Sequence, residues 1–101
     1  MLRHVVLFRM KEDVGPDRRG EALRELRGLA ASVPEIRALR AGENEGSNPA
    51  NYDIALEVDF DDMAAFERYR DSDEHQRVWT KVLQPMVADR AGVQYRPAQD
   101  G

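Results

Sequence analysis

The sequence predicts an α+β fold of the ferredoxin-like type. This is a βαββαβ protomer whose antiparallel sheet carries its helices on one face. Three observations point to it. Four stretches have the alternating or β-branched character of strands. Two stretches between them repeat apolar residues at helical spacing. Their order is strand, helix, strand, strand, helix, strand, the split β-α-β pattern. Each crossover then returns to a parallel, non-adjacent strand with right-handed connection. At 101 residues the chain is expected to be one domain, 1–101.

The first strand is "LRHVVLFRM" (2–10), with Leu2, His4, Val6, Phe8 and Met10 on one face. "KEDVGP" ends it. Pro16 suits a first helical turn, where its missing N–H costs nothing, and Asp17 complements the dipole there. Leu23, Leu26, Leu29, Ala30 and Val33 then mark an amphipathic helix over about 16–33, stopped near Pro34. "EIRALRAG" (35–42) is a weaker strand, and "ENEGSNPAN" (43–51) a loop by its turn residues. "YDIALEVDF" (52–60) alternates most clearly, placing Tyr52, Ile54, Leu56, Val58 and Phe60 together. Asp61 is a candidate cap for a short helix bearing Met63, Phe66 and Tyr69 on one side. Ser72 can cap the next helix, with Asp73 and Glu74 in its first turn. Its inward stripe is His75, Val78, Trp79, Val82 and Met86, and Pro85 marks its end. "AGVQYR" (91–96) is the last strand, and "PAQDG" a frayed tail.

Helices can cover only one sheet face, and the face with Val6, Phe8, Ile54, Leu56 and Val58 is the apolar one. The other is expected to mix Val5, Leu7, Leu39 and Ala55 with Arg3, Arg9, Arg37, Asp53, Glu57 and Asp59. Such a face is too apolar for open water and too charged for a dry core. A second copy of the same sheet, packed face to face, resolves both problems, so a homodimeric α/β barrel is expected.

Composition narrows the function. A net charge of −4 draws the chain to neither nucleic acid nor an anionic membrane. Zero cysteines exclude a disulfide framework, a thiol nucleophile and a cysteine zinc site, and fit a cytoplasmic location. No secretory leader or membrane-spanning run is apparent. Two histidines far apart match no zinc signature, so no metal is expected. Phosphate-loop and nucleophile-elbow patterns are missing as well.

What chemistry remains sits between sheet and helices. His4, Tyr69 and His75 all fall on inward positions. Histidine titrates near neutrality, and a tyrosine hydroxyl can donate to a developing oxyanion. Near a helix N-terminus the dipole disfavours imidazolium, so His75 is expected to be neutral and able to act as a base. Leu56 and Trp79 are expected in the wall of the same pocket.

"HVVLFRMK", "YDIALEVDFDDMAAFERYRDSDEH" and "WTKVLQPMV" followed by "VQYR" resemble, in order and over nearly the whole chain, the stress-responsive dimeric α/β-barrel (Dabb) family. The resemblance implies a ferredoxin-like protomer and a homodimer. It also implies chemistry without metal or cofactor: one plant cyclase of the family closes a linear polyketide by aldol condensation. On that likeness His75 would be the general base, Tyr69 would stabilise the intermediate, and His4 would line the pocket. The chain departs from the family motif, with Ser72 and Asp73 replacing its His-Pro pair. Ile54 and Leu26 stand where that cyclase has a pocket histidine and tyrosine, giving a greasier cavity. Two functions follow as expectations. One is a lyase, cyclase or isomerase acting on a polyketide-like or phenolic carbonyl compound. The other is a non-catalytic or stress-protective dimer binding a small apolar ligand.

Overall fold

The computed structural model of the protein describes residues 1–98. In chain order it has β1 (Leu2–Met10), α1 (Pro16–Ser32), β2 (Ala38–Glu43), β3 (Ile54–Phe60), α2 (Met63–Asp71), α3 (Asp73–Arg77) and β4 (Val87–Tyr95). A π-helical turn, Val78–Leu83, continues α3. The strands form one antiparallel sheet in the order β2-β3-β1-β4. This is the ferredoxin-like arrangement, with the helices on one face.

Alternation in β1 and β3 builds the core. Val6, Phe8, Ile54, Leu56, Val58 and Phe60 are all buried against Ala22, Leu23, Leu26 and Leu29 of α1 and Phe66 and Tyr69 of α2. Each large side chain so buried contributes about 1.5–3 kcal/mol by leaving water. In α1 the stripe turns slightly from the expected one: Ala22 is buried and Ala30 is exposed. Pro16 occupies the first helical position behind Gly15, which offers no side-chain cap.

Several boundaries move. β2 runs 38–43 rather than 35–42, because Ile36 N–H closes a turn onto Val33 C=O before the strand starts. β3 starts at Ile54, two residues late, since the Asp53 carboxylate accepts from Met10 N–H and its own N–H donates to Phe8 C=O. The cap of α2 is Asp62, whose side chain accepts from Ala65 N–H at 2.9 Å. Asp61 instead pairs with Arg37 at 2.7 Å. Met63 is exposed. β4 starts at Val87, with a bulge between Arg9 and Met10 of its partner. Of the expected tail, residues 99–101 lie outside the described residues.

The uncovered sheet face carries Val5, Leu7, Ala55, Val93 and Tyr95. Leu39 is not there: it lies opposite Val58 and packs on the core, and Arg40 takes the outward place opposite Glu57. Arg3, Arg40, Glu57 and Asp59 pair on this face, while Arg9 donates to Ala50 and Asn51 C=O. Asp59, only 4% exposed, accepts from Arg3 Nε at 2.8 Å and Arg40 Nη2 at 3.3 Å. Both guanidiniums hold its carboxyl below the ordinary range, Arg3 foremost.

Candidate functional site

The join between α2 and α3 positions the site. Ser72 ends one helix and begins the next. Its hydroxyl donates to Tyr69 C=O at 2.7 Å and accepts from His75 N–H at 3.2 Å. One side chain thus ties the backbones of Tyr69 and His75 together. The rings follow, with centroids 4.6 Å apart. His4 reaches the same place from the middle of β1, its ring 6.1 Å from Tyr69 and 4.8 Å from Phe66.

A cavity of about 270 Å³ opens beneath this join, lined by His4, Tyr69, His75, Leu26, Leu56 and Trp79 among others. A second hollow of about 270 Å³ adjoins it on the side of Phe66 and Gln94 and shares His4, Tyr69 and His75. Of the seven residues expected at the site, six line the first cavity. Ile54 does not: it is buried further along β3 and borders a shallower depression of about 500 Å³ around Leu7, Tyr52 and Ala55. That depression holds neither histidine, so its greater size does not make it the chemical centre.

Burial sets the protonation states. His4 is 4% exposed, and loss of hydration lowers its pKa from 6.5 to about 4, with Arg90 and His75 adding to the effect. Its Nδ1 lies 2.9 Å from Gln94 Nε2. With the amide in that orientation Nδ1 accepts, and the proton sits on Nε2. Burial also lowers the pKa of His75, against the opposing pull of the Arg70 carbonyl. Among the described residues, His75 Nδ1 is the buried side-chain polar atom that lacks a hydrogen-bond partner. Such an atom carries a desolvation cost unless something else satisfies it. Tyr69, 1% exposed, is pushed up to about 12 by burial, so its hydroxyl remains a donor at neutral pH. The arrangement therefore offers two neutral imidazoles and one phenol around an apolar cavity.

The π-helical turn contributes Val78, Trp79 and Leu83 to the wall. Gln84 N–H donates to Trp79 C=O at 2.7 Å, the wide i to i+5 closure. Sequence reasoning missed Arg90 and Gln94. Register with β1 places both on the helix side of the sheet, Arg90 opposite Phe8 and Gln94 opposite His4, and Arg90 joins the strand because β4 begins at Val87. The alternation Arg90, Gly92, Gln94 held that signal, but a strand started at residue 91 leaves Arg90 out. Among the described residues no group of three histidine, aspartate or glutamate side chains is placed to hold a metal ion. Among the described residues no helix is long and apolar enough to cross a membrane.

Comparison with known proteins agrees with this architecture. The family model of the stress responsive A/B barrel domain, Dabb, matches residues 2–97. The uncharacterized protein SCO4036 of Streptomyces coelicolor is 30% identical over 94 residues, covering 88% of this chain and 97% of that protein. A dimeric ferredoxin-like protein of unknown function from Thermobifida fusca superimposes with a TM-score of 0.84 at 34% identity, covering 93% of this chain and 88% of the other. A hydroxynitrile lyase from Passiflora edulis shares the fold, with a TM-score of 0.85 at 17% identity over 99% of this chain and 95% of its own. The chain belongs to the stress responsive A/B barrel (Dabb) domain family.

Proposed function

We propose that the protein is a homodimer whose protomers each hold a small-molecule pocket. In that pocket Tyr69 and His75 move a proton on a carbonyl compound with an apolar or phenolic body, without a cofactor. The observation that carries this reading is the convergence of His4, Tyr69 and His75 on one leucine-walled cavity. Neutral His75 takes a proton from the carbon next to the carbonyl. The C–H electron pair passes to the carbonyl oxygen, and the Tyr69 hydroxyl donates a hydrogen bond to the resulting oxyanion. The enolate then attacks a second carbonyl of the same molecule, expels a β-substituent, or is reprotonated elsewhere. These are cyclase, lyase and isomerase outcomes of one first step, and in each His75 returns its proton to the product or leaving group.

The homodimer reading rests on the uncovered sheet face, where Leu7, Val93 and Tyr95 are exposed around an already paired set of charges. The Thermobifida relative, described as dimeric, supports it. The Passiflora lyase supports no reaction, because a fold hosts many chemistries.

The test is α-proton exchange of aryl ketones in D₂O. Exchange catalysed by the wild type and lost in His75→Ala and Tyr69→Phe, with ligand binding retained, is the expected result. Exchange that survives both changes removes the assignment. The wall of Leu26, Leu29, Leu56 and Leu83 favours a second reading, a ligand-binding protein without turnover. Binding of the same ketones with no catalysed exchange selects it.

A further inference from the structure

The charged side chains that line the pocket are of one sign. The two hollows are lined by Arg70, Arg90, both histidines and the amides of Gln76 and Gln94, with no aspartate or glutamate on either wall. This occurs in a chain with 19 acidic residues against 15 basic ones. The two arginines are not equivalent. Arg70 is paired with Asp71 through two contacts, 2.9 and 3.2 Å, on the exposed side of α2. Arg90 is in none of the ion pairs among the described residues. The adjacent Asp89 carboxylate is taken by the Tyr52 hydroxyl at 3.0 Å and by the backbone N–H of Arg90.

Arg90 is also aimed. It stands on the helix side of β4, opposite Phe8. Its guanidinium carbon lies 5.6 Å from the centroid of the Trp79 ring, within cation–π reach. Its guanidinium lies over Gly92, the next residue on that side, with Nη2 3.5 Å from where a Cβ would stand, an ordinary contact distance. The positive charge of Arg90 is felt at all three site residues and in each favours the less positive form. Arg90 lines both hollows while staying open to solvent, and no carboxylate among the described residues pairs with it.

We propose that Arg90 anchors a carboxylate, so the ligand of this pocket is an amphiphilic acid. Its carboxylate sits on Arg90, and its aromatic or aliphatic body lies against Leu26, Leu29 and Leu56. Its carbonyl reaches Tyr69 and His75. The inference rests on the pocket being the ligand site proposed above. It adds a functional consequence. The charges facing His75 are Arg70 and Asp71 from α2, Arg90 from β4, and the His4 imidazole from β1. A carboxylate on Arg90 cancels the cation among them that is otherwise unopposed. Occupancy by the right ligand thereby makes His75 a better proton acceptor.

The test is calorimetric titration of the full chain with 2-naphthoate and 4-phenylbutyrate, each against its own carboxamide. The proteins are wild type, Arg90→Gln and Arg90→Lys, with circular dichroism to confirm folding. The acids are expected to bind about tenfold or more tightly than the amides, the advantage of a charge-assisted hydrogen bond. That preference should vanish in Arg90→Gln, persist in part in Arg90→Lys, and weaken with added salt. Equal binding of acid and amide, or a preference that survives Arg90→Gln, overturns the proposal. If ketone exchange is catalysed but no acid is preferred, Arg90 loses its role and the pocket keeps its own. If nothing binds and no exchange occurs, both readings fall.

Discussion

His4 and His75 are held neutral by the same force, loss of water, but at different depths. His4 is fixed inside the sheet's inner face and braced by Gln94, while His75 is half-buried on a helix turn. The consequence for stability has a definite sign. Above pH 6.5 the ring of His4 is neutral in both folded and unfolded chains. Below that value the unfolded chain takes the proton first, because the folded pKa is about 4. Stability from this residue is therefore present above pH 6.5 and lost as pH falls toward 4, at up to about 1.4 kcal/mol per pH unit. Urea unfolding at pH 7 and pH 5 should show a smaller loss in His4→Gln than in wild type, by up to about 2 kcal/mol. An equal loss in both proteins would mean that His4 is not buried as the neutral ring. At this scale the sequence was informative about the three chemical residues, because alternation in β1 and the helical stripes put them inward. It was silent about Arg90, since a charged residue near a strand end reads as loop until the register with β1 is known.

Between elements, the α2–α3 join holds the site together. Ser72 replaces the histidine of the family motif and bonds both flanking backbones. Removing its hydroxyl in Ser72→Ala deprives α3 of its cap and should cost about 1 kcal/mol in denaturant unfolding. Ligand affinity should fall beyond what that loss explains, because Tyr69 and His75 are no longer tied to one hydroxyl. Ser72→Thr should restore both. An alanine variant with unchanged affinity would show that the join is held by packing alone. Helix existence was legible from Leu23, Leu26 and Leu29 and from the cap at Ser72. The π-helical turn was not, since its residues, Val78 to Leu83, have the same apolar spacing as an α-helix. The extent of β4 was not legible either: an edge strand with alanine, aspartate and arginine exposed lacks the apolar alternation that marks β1 and β3.

For the whole molecule, the sheet separates two jobs. Its inner face supplies His4 and the pocket floor, and its outer face is left uncovered by the helices. The proposed dimer predicts that wild type has twice the mass of one chain in solution. Val93→Asp with Leu7→Asp, which places charges in the apolar centre of that face, should yield monomers that still bind ligand. A wild type of single-chain mass at micromolar concentration contradicts the dimer. The face itself could be read from the charged and apolar mixture of β1 and β3. The pairing of Asp59 with Arg3 and Arg40 could not, because the weak alternation of β2 points Leu39 outward, whereas the observed register turns Leu39 inward and Arg40 outward. The central claim concerns the inner face, that Tyr69 and His75 move a proton on a bound carbonyl compound. The most direct measurement is the rate of deuterium uptake next to the carbonyl of phenylacetone, followed by proton NMR in D₂O near neutral pH. The account predicts uptake above the buffer rate with wild type, and a fall of about 10²-fold or more in His75→Ala, in line with loss of a general base. Uptake at the buffer rate with wild type, or equal rates with and without His75, would contradict it.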